Sequence, residues 1–198
     1  MDFFLRLKET LSRRQKVYIT DASRRPSAVL IPVYFYRGQY FILFTRRSEL
    51  VHHHKGEISF PGGGFQPEDG SLVKTALRES YEEIGLAPGD VKVLGELDDM
   101  LTRGSDYIVT PFVGSILPEY KFKLDSFETA EIIRIPVAVL LEEGCRREEP
   151  VITLGDKPVV PYVYAYKGNM IIGATARILK QLLDIFEQLS GELPKDRI

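Results

Sequence analysis

The chain has a single cysteine, Cys145, among its 198 residues. No internal disulfide can form, and a reducing compartment is the consistent setting. Positive charge is not in surplus: the net charge is −2, which argues against a strongly basic nucleic-acid binder. No apolar run approaches the roughly 20 residues that a bilayer span needs. The opening stretch "MDFFLRLKETLSRRQK" has charges between its apolar pairs and lacks the form of a signal peptide. Repeats and low-complexity linkers are missing as well. What remains is ordinary globular composition, 44% hydrophobic and 27% charged, at a length suited to one domain with terminal additions. A cytoplasmic protein without membrane or nucleic-acid partners is expected.

Phe3, Phe4, Leu7 and Leu11 share one face of a short amphipathic helix, so residues 1–24 read as a helical extension packed on the body. "SAVLIPVYFY" and "YFILFTRR" are β-rich runs joined through "RGQ", the signature of a hairpin. "GEISF" is a short strand leading into Gly62, Gly63 and Gly64. A helix is predicted from about Ser71 to Ile84, capped by Ser71 or Asp69 and closed by Gly85, with Leu72, Ala76, Leu77, Ser80 and Ile84 as its buried stripe. Strands follow at "VKVLGEL", "YIVTPFVGSI", "EIIRIP" and "YVYAYKG". A last helix over 173–190 has Ile178, Leu179, Leu182, Leu183 and Phe186 as core candidates. "EEGCRREEP" reads as a solvated loop or helix end. The order of elements predicts one domain over 1–198, a mixed sheet flanked by helices.

On the predicted helix, Glu79, Glu82 and Glu83 stand at i, i+3 and i+4, so their carboxylates share one patch. Like charges at that spacing weaken a helix by a few tenths of a kcal/mol per pair, and a helix meant only for solubility would interleave lysine. Acid-rich faces are ordinarily solvated surface; here a glycine loop and a helix N-terminus precede the acids, both suited to phosphate. Carboxylates without nearby His or Cys suit hard cations such as Mg²⁺ or Mn²⁺. Arg78, four residues before Glu82, is placed to orient that side chain. The chemistry so assembled is metal-assisted attack of water on a phosphate.

Residues 60–86, "FPGGGFQPEDGSLVKTALRESYEEIGL", resemble the Nudix box of the Nudix hydrolases, G-x5-E-x7-R-E-U-x-E-E-x-G-U with U aliphatic. "RESYEEIGL" matches the second half, with Ser80 at the first aliphatic position. In the first half the count falls on Gly70 where the box has Glu; a one-residue insertion brings Asp69 to that role. The resemblance implies an α/β/α sandwich with a mixed sheet, Glu79, Glu82 and Glu83 as ligands of Mg²⁺ or Mn²⁺ with Gly62 beside the metal, and a nucleoside-diphosphate derivative as substrate. It also implies a further carboxylate from a later loop, acting as base or ligand; Glu128 is the candidate, with Glu131 the runner-up.

Upstream, "LFTRRSELVHHHKGEISFPGG" is similar to the motif of coenzyme A diphosphatases, L-L-T-x-R-[S/A]-x3-R-x3-G-x3-F-P-G-G. Leu43, Thr45, Arg47, Ser48, Gly56 and Phe60 to Gly63 match; Phe44 replaces a Leu and His52 the second Arg. "YIVTPFVG" and "GATARIL" also look like segments of that subfamily. The resemblance implies cleavage of coenzyme A or its thioesters to 3′,5′-ADP and (acyl-)4′-phosphopantetheine, with Arg46, Arg47, His52, Phe60, Gly62 and Gly63 at the substrate. Arginine forks suit phosphates; a neutral imidazole at His52 offers one donor and no charge. That departure keeps ADP-ribose or another nucleoside-diphosphate derivative open as substrate. A non-catalytic nucleotide-sensing or interaction module is the alternative of another class, against which the three clustered acids speak. His52, His53 and His54 in succession do not converge on one ion, and Cys145 has no histidine partner that would make it a nucleophile. A homodimer is compatible with this kind of domain, although no segment specifies one.

Overall fold

The computed structural model describes residues 2–51, 54–103, 105–154, 157–159 and 161–191. Its helices are α1 (Phe3–Arg13), α2 (Leu72–Ile84), α3 (Val137–Leu140) and α4 (Gly173–Gly191). The main sheet has eight strands: β1 (Arg25–Tyr36), β2 (Gln39–Arg47), β3 (Ile58–Ser59), β4 (Gly62–Gly64), β5 (Lys92–Glu96), β6 (Met100–Leu101), β7 (Tyr107–Ser115) and β8 (Thr129–Pro136). The order β3-β2-β1-β7-β5 forms its spine, with β4 on β1, β6 on β7 and β8 on β2. β1 and β7 run parallel, from Arg25 opposite Tyr107 to Val33 opposite Ser115, while the other pairs are antiparallel. Five short strands lie outside it. β9 (Arg146–Glu148), β12 (Tyr162–Tyr166) and β13 (Asn169–Ile171) make one small sheet, β10 (Ile152–Leu154) and β11 (Lys157–Val159) a hairpin.

The period of two along β1 divides the core. Ala28, Leu30 and Tyr34 face one layer, closed by Ala76 and Ile84 of α2 and by Leu86. Ile31 and Val33 face the other, closed by Phe3, Leu7 and Leu11 of α1 and by Ile178, Leu179, Leu182, Leu183 and Phe186 of α4. A parallel pair buried on both faces is what such apolar runs require. The outcome is the expected sandwich, helices on both sides of a mixed sheet. The β1–β2 hairpin turns at Arg37 and Gly38, whose φ of 48° and 83° are the left-handed torsions that a tight turn of this twist needs.

Two expectations are corrected. The helical part of residues 1–24 stops at Arg13; beyond it the chain is extended and pinned by Arg14 to Asp98 (2.8 Å) and by Lys16 to Glu96 (2.8 Å) and Asp99 (3.0 Å). In "EEGCRREEP", Arg146–Glu148 form a strand paired with β12, and Cys145 is buried. All three strand residues are exposed, so no apolar alternation marked the strand. Among the described residues no helix is long and apolar enough to cross a membrane.

Candidate active site

The glycine run is itself a strand. Gly62, Gly63 and Gly64 pair with Val29, Ala28 and Ser27 of β1. A side chain at Gly62 would stand 2.3 Å from the Ala28 carbonyl oxygen, and one at Gly63 would stand 2.6 Å from the Glu79 carboxylate. The two glycines therefore let β4 lie flat on β1 and let Glu79 come down onto β4. A turn at Pro67–Asp69 then leads into α2, for which Ser71 is the N-terminal flanking residue without a side-chain cap. Gly85, at φ 68°, ends the helix, its N–H donating to the Ser80 and Tyr81 carbonyls.

Arg78 is the hub of the acidic patch. Its Nε donates to Asp69 Oδ1 at 2.7 Å and one terminal nitrogen to Asp69 Oδ2 at 3.1 Å and to the Gly64 carbonyl at 3.1 Å. The other terminal nitrogen meets Glu82 Oε2 at 2.8 Å and Glu79 Oε1 at 2.9 Å. Asp69 also accepts from Thr75 Oγ1 and from the Gln66 backbone N–H. The Arg78 fork, then those two donors, hold its carboxyl well below the usual range. Asp69, at the place of the box's first acid, thus has its oxygens occupied by protein donors.

Glu83 points the other way. It is only 4% exposed, although the buried stripe expected for this helix, Leu72, Ala76, Leu77, Ser80 and Ile84, does not include it. The loop after β7 explains the burial: Lys123 and Asp125 donate backbone N–H bonds to the carbonyls of Ile84 and Glu83 and close over the end of α2. Glu83 Oε1 lies 4.0 Å from the Arg47 guanidinium, and Oε2 has no hydrogen-bond partner. Burial pushes its carboxyl up to about 8 despite Arg47, and the charges of Glu79 and Glu128 push it further the same way. Burial raises Glu79 too, against the pull of Arg78, again with Glu128 contributing. Glu128 lies in the loop before β8, and its backbone carbonyl accepts from Ser48 N–H at 2.8 Å, beside Arg47. Among the described residues no three acids, histidines or cysteines already form a closed cage: Glu79 and the half-exposed Glu82 lean on Arg78 while Glu83 turns inward. A buried carboxylate oxygen with no donor, amid further carboxylates and no His or Cys, fits a hard divalent cation.

Beside this cluster is a cleft of about 520 Å³. Gly62 and Arg47 line it on the carboxylate side, the turn between β6 and β7 and the first turn of α4 on the others, and Val29, Phe60, Val109 and Ile178 give it an apolar lining.

Residues 24–153 match the NUDIX domain family. The chain belongs to the Nudix family. Curated relatives agree: it is 36% identical over 160 residues, 81% of this chain and 84% of the relative, to the uncharacterized Nudix hydrolase NudL of Photorhabdus laumondii. It is 33% identical over 182 residues, 92% of each chain, to the NudL of Escherichia coli O139:H28. Among solved structures it resembles a MutT/nudix family protein from Enterococcus faecalis (TM-score 0.56, 13% identity, 96% of this chain and 70% of that one) and the Nudix hydrolase RenU from M. smegmatis (TM-score 0.52, 14% identity, 86% and 88%). At these identities the structures speak for the fold alone. The chain is a Nudix hydrolase, of a family that cleaves pyrophosphate bonds and generally uses divalent metal ions.

Within this Nudix domain the remaining candidate residues separate. Arg46 is engaged away from the cluster: it donates to Glu131 Oε2 at 3.1 Å, to the Gly56 carbonyl at 3.3 Å and to Asn169 Oδ1. Glu131 is accordingly occupied by Arg46, whereas the charge of Glu128 acts on Glu79 and Glu83. Phe60 is buried, stacked on Phe44 with ring centroids 4.8 Å apart, and lines the cleft. His52 lies outside the described residues. Sequence reasoning did not single out Arg103 and Arg177, which also line the cleft. The segment "GATARIL" carried the only signal for Arg177; Arg103, in a short polar turn, carried none.

Proposed function

We propose that this chain is a cytoplasmic, Mg²⁺- or Mn²⁺-dependent diphosphatase that cleaves coenzyme A or its thioesters to 3′,5′-ADP and (acyl-)4′-phosphopantetheine. One observation carries the reading: the arginine of the upstream motif, Arg47, lies 4.0 Å from the Glu83 carboxylate, whose Oε2 has no hydrogen-bond partner, and lines the cleft. The upstream motif and the box thus meet at one point. Glu79, Glu82 and Glu83 hold the cation beside Gly62, and Arg78, itself held by Asp69, keeps Glu79 and Glu82 in place. A bound divalent cation supplies neutralisation of phosphate charge and a more acidic water. Gly62 and Gly63 let the diphosphate approach the backbone, and Arg47 binds one of its phosphates. Glu128 accepts the proton of the attacking water. Attack at phosphorus breaks its bond to the bridging oxygen, leaving a phosphate on each product.

The test is Mg²⁺-dependent hydrolysis of coenzyme A and ADP-ribose side by side, products identified by mass, with Glu82→Gln as control. Faster cleavage of coenzyme A, and a mutant slower by orders of magnitude, is expected. Preference for ADP-ribose would overturn the substrate. Cleavage of neither would overturn the proposed enzyme and favour a binding role.

A further inference from the structure

Cations line the cleft in two places. Arg47 ends β2, and Arg103 sits in the turn between β6 and β7. At this level β3 pairs with β2 and β4 with β1, both lying between β2 and the β1–β7 pair, so these walls stand more than two strand spacings, upwards of about 10 Å, apart across the sheet. Arg47 has the Glu83 carboxylate before it. Arg103 is exposed and makes no hydrogen bond or ion pair with any described residue. Glu57 is the one acid among the described lining residues, and it is paired with His54 at 3.0 Å. The wall that carries Arg103 is nonetheless braced: Arg177, in the first turn of α4, donates to the Leu101 carbonyl and ties the helix to β6 just before the turn. Between the two cationic walls the lining is apolar, from Val29, Phe60, Val109 and Ile178.

A single diphosphate spans neither the distance nor the chemistry of this arrangement. It would occupy the wall at Arg47 and leave Arg103 uncompensated over an apolar floor. We infer that Arg103, on a wall fixed by Arg177, is a specificity-determining residue that binds a second phosphate, a monoester separate from the diphosphate that is cut. This rests on the diphosphatase reading and deepens it: in coenzyme A that group is the 3′-phosphate, and the apolar floor accommodates what links the two.

Two nucleotides that differ only in that phosphate, 3′,5′-ADP and 5′-AMP, decide the matter by calorimetric titration without metal. A charge-assisted hydrogen bond corresponds to about 10- to 100-fold in affinity, so wild type should prefer 3′,5′-ADP by at least about tenfold. Arg103→Ala should abolish the preference while leaving 5′-AMP binding within about twofold, and Arg103→Lys should retain part of it. Because Arg103 is exposed, the variants should melt like wild type. Equal binding of the two nucleotides by wild type, binding of neither, a preference that survives Arg103→Ala, or equal weakening of both would each overturn the inference. A kinetic arm compares coenzyme A with dephospho-coenzyme A: Arg103→Ala should lower kcat/KM for the first alone. If wild type cleaves neither, the diphosphatase reading fails, and the titration still judges Arg103.

Discussion

Three adjacent glycines, changed one at a time to alanine, should give three different results. At Gly62 the new methyl would lie 2.3 Å from the Ala28 carbonyl oxygen and 2.6 Å from the Val29 Cα, at a φ of 154°. Both obstacles are backbone of the central strand, so β4 must leave β1 or β1 must bend, and a loss of about 2–4 kcal/mol in stability is expected. At Gly63 the methyl would meet the Glu79 carboxylate at 2.6–2.7 Å. That is the far end of a flexible side chain, which can retreat by about 0.8 Å to ordinary contact at little cost in stability. The retreat takes Glu79 off its position. A displacement of about 1 Å costs on the order of 100-fold in rate. At Gly64 the nearest atom is the Tyr107 hydroxyl at 3.6 Å, and alanine should be tolerated within about 0.5 kcal/mol. Thermal melts, Mn²⁺ titration and Mg²⁺-dependent turnover of coenzyme A separate the three. Gly62→Ala should lower the melting temperature, Gly63→Ala should keep it but lose turnover and Mn²⁺ affinity, and Gly64→Ala should resemble wild type. A Gly63→Ala protein with wild-type turnover and Mn²⁺ affinity would refute the reasoning, because Glu79 would then have no need of its place on β4.

The remaining predictions concern charge. Glu83 titrates at about 8 in the fold against about 4.3 when unfolded. Its stabilising protonated form is thus fully present below about pH 4.3 and is lost as pH rises toward 8; in EDTA, wild type should lose stability across pH 5–8 and Glu83→Gln should lose less, parallel curves contradicting this. Asp69 is depressed by Arg78, so its contribution is present above about pH 3.9 and lost as pH falls below that. Asp69→Asn should lower stability by about 2–3 kcal/mol at pH 7, with the gap to wild type narrowing under acid in denaturant melts; a constant gap would count against it. Arg46→Ala, which removes three protein contacts, should cost about 1–2 kcal/mol in stability and leave KM for coenzyme A within threefold. Arg47→Ala should raise KM or lower kcat by about tenfold or more; a swap of these phenotypes would reverse the assignment.

The sequence disclosed those parts of the molecule that local periodicity or torsion dictates. The α2 span was legible because Gly85 must adopt a left-handed torsion and the apolar spacing ends at Ile84. The two-faced β1 was legible from its near-continuous apolar run, and the hairpin from "RGQ". The direction of the acids was not. Helical spacing places Glu79, Glu82 and Glu83 together, but what separates them comes from elsewhere: Arg78 draws two toward itself, and the loop at residues 123–125 buries the third. The same holds for Arg46 and Arg47. Neighbours on a strand point to opposite faces, yet which face meets the cluster depends on Asn169 and Glu131, far along the chain. Arg103 belongs to the same class, since it lines the cleft through the pairing of β6 with β7 rather than through any local pattern.

The charges at the site do not balance within the protein. Asp69, Glu79 and Glu82 meet Arg78, Glu83 lies near Arg47, and Glu128 adds a further carboxyl that acts on Glu79 and Glu83. Arg78 is committed to Asp69 by two hydrogen bonds, and what it gives Glu79 does not prevent burial from raising that group. Arg47 at 4.0 Å from Glu83 is beyond hydrogen-bonding distance. A purely structural cluster would be expected to pair its buried acid fully, since an unsatisfied buried polar group costs stability even where burial keeps it protonated. The depth of Glu83, the separation from Arg47 and the glycine that keeps Glu79 close are each costly for stability alone. They become mutually consistent once a divalent cation and an anionic substrate enter together, the first answering the carboxylates and the second taking over Arg47.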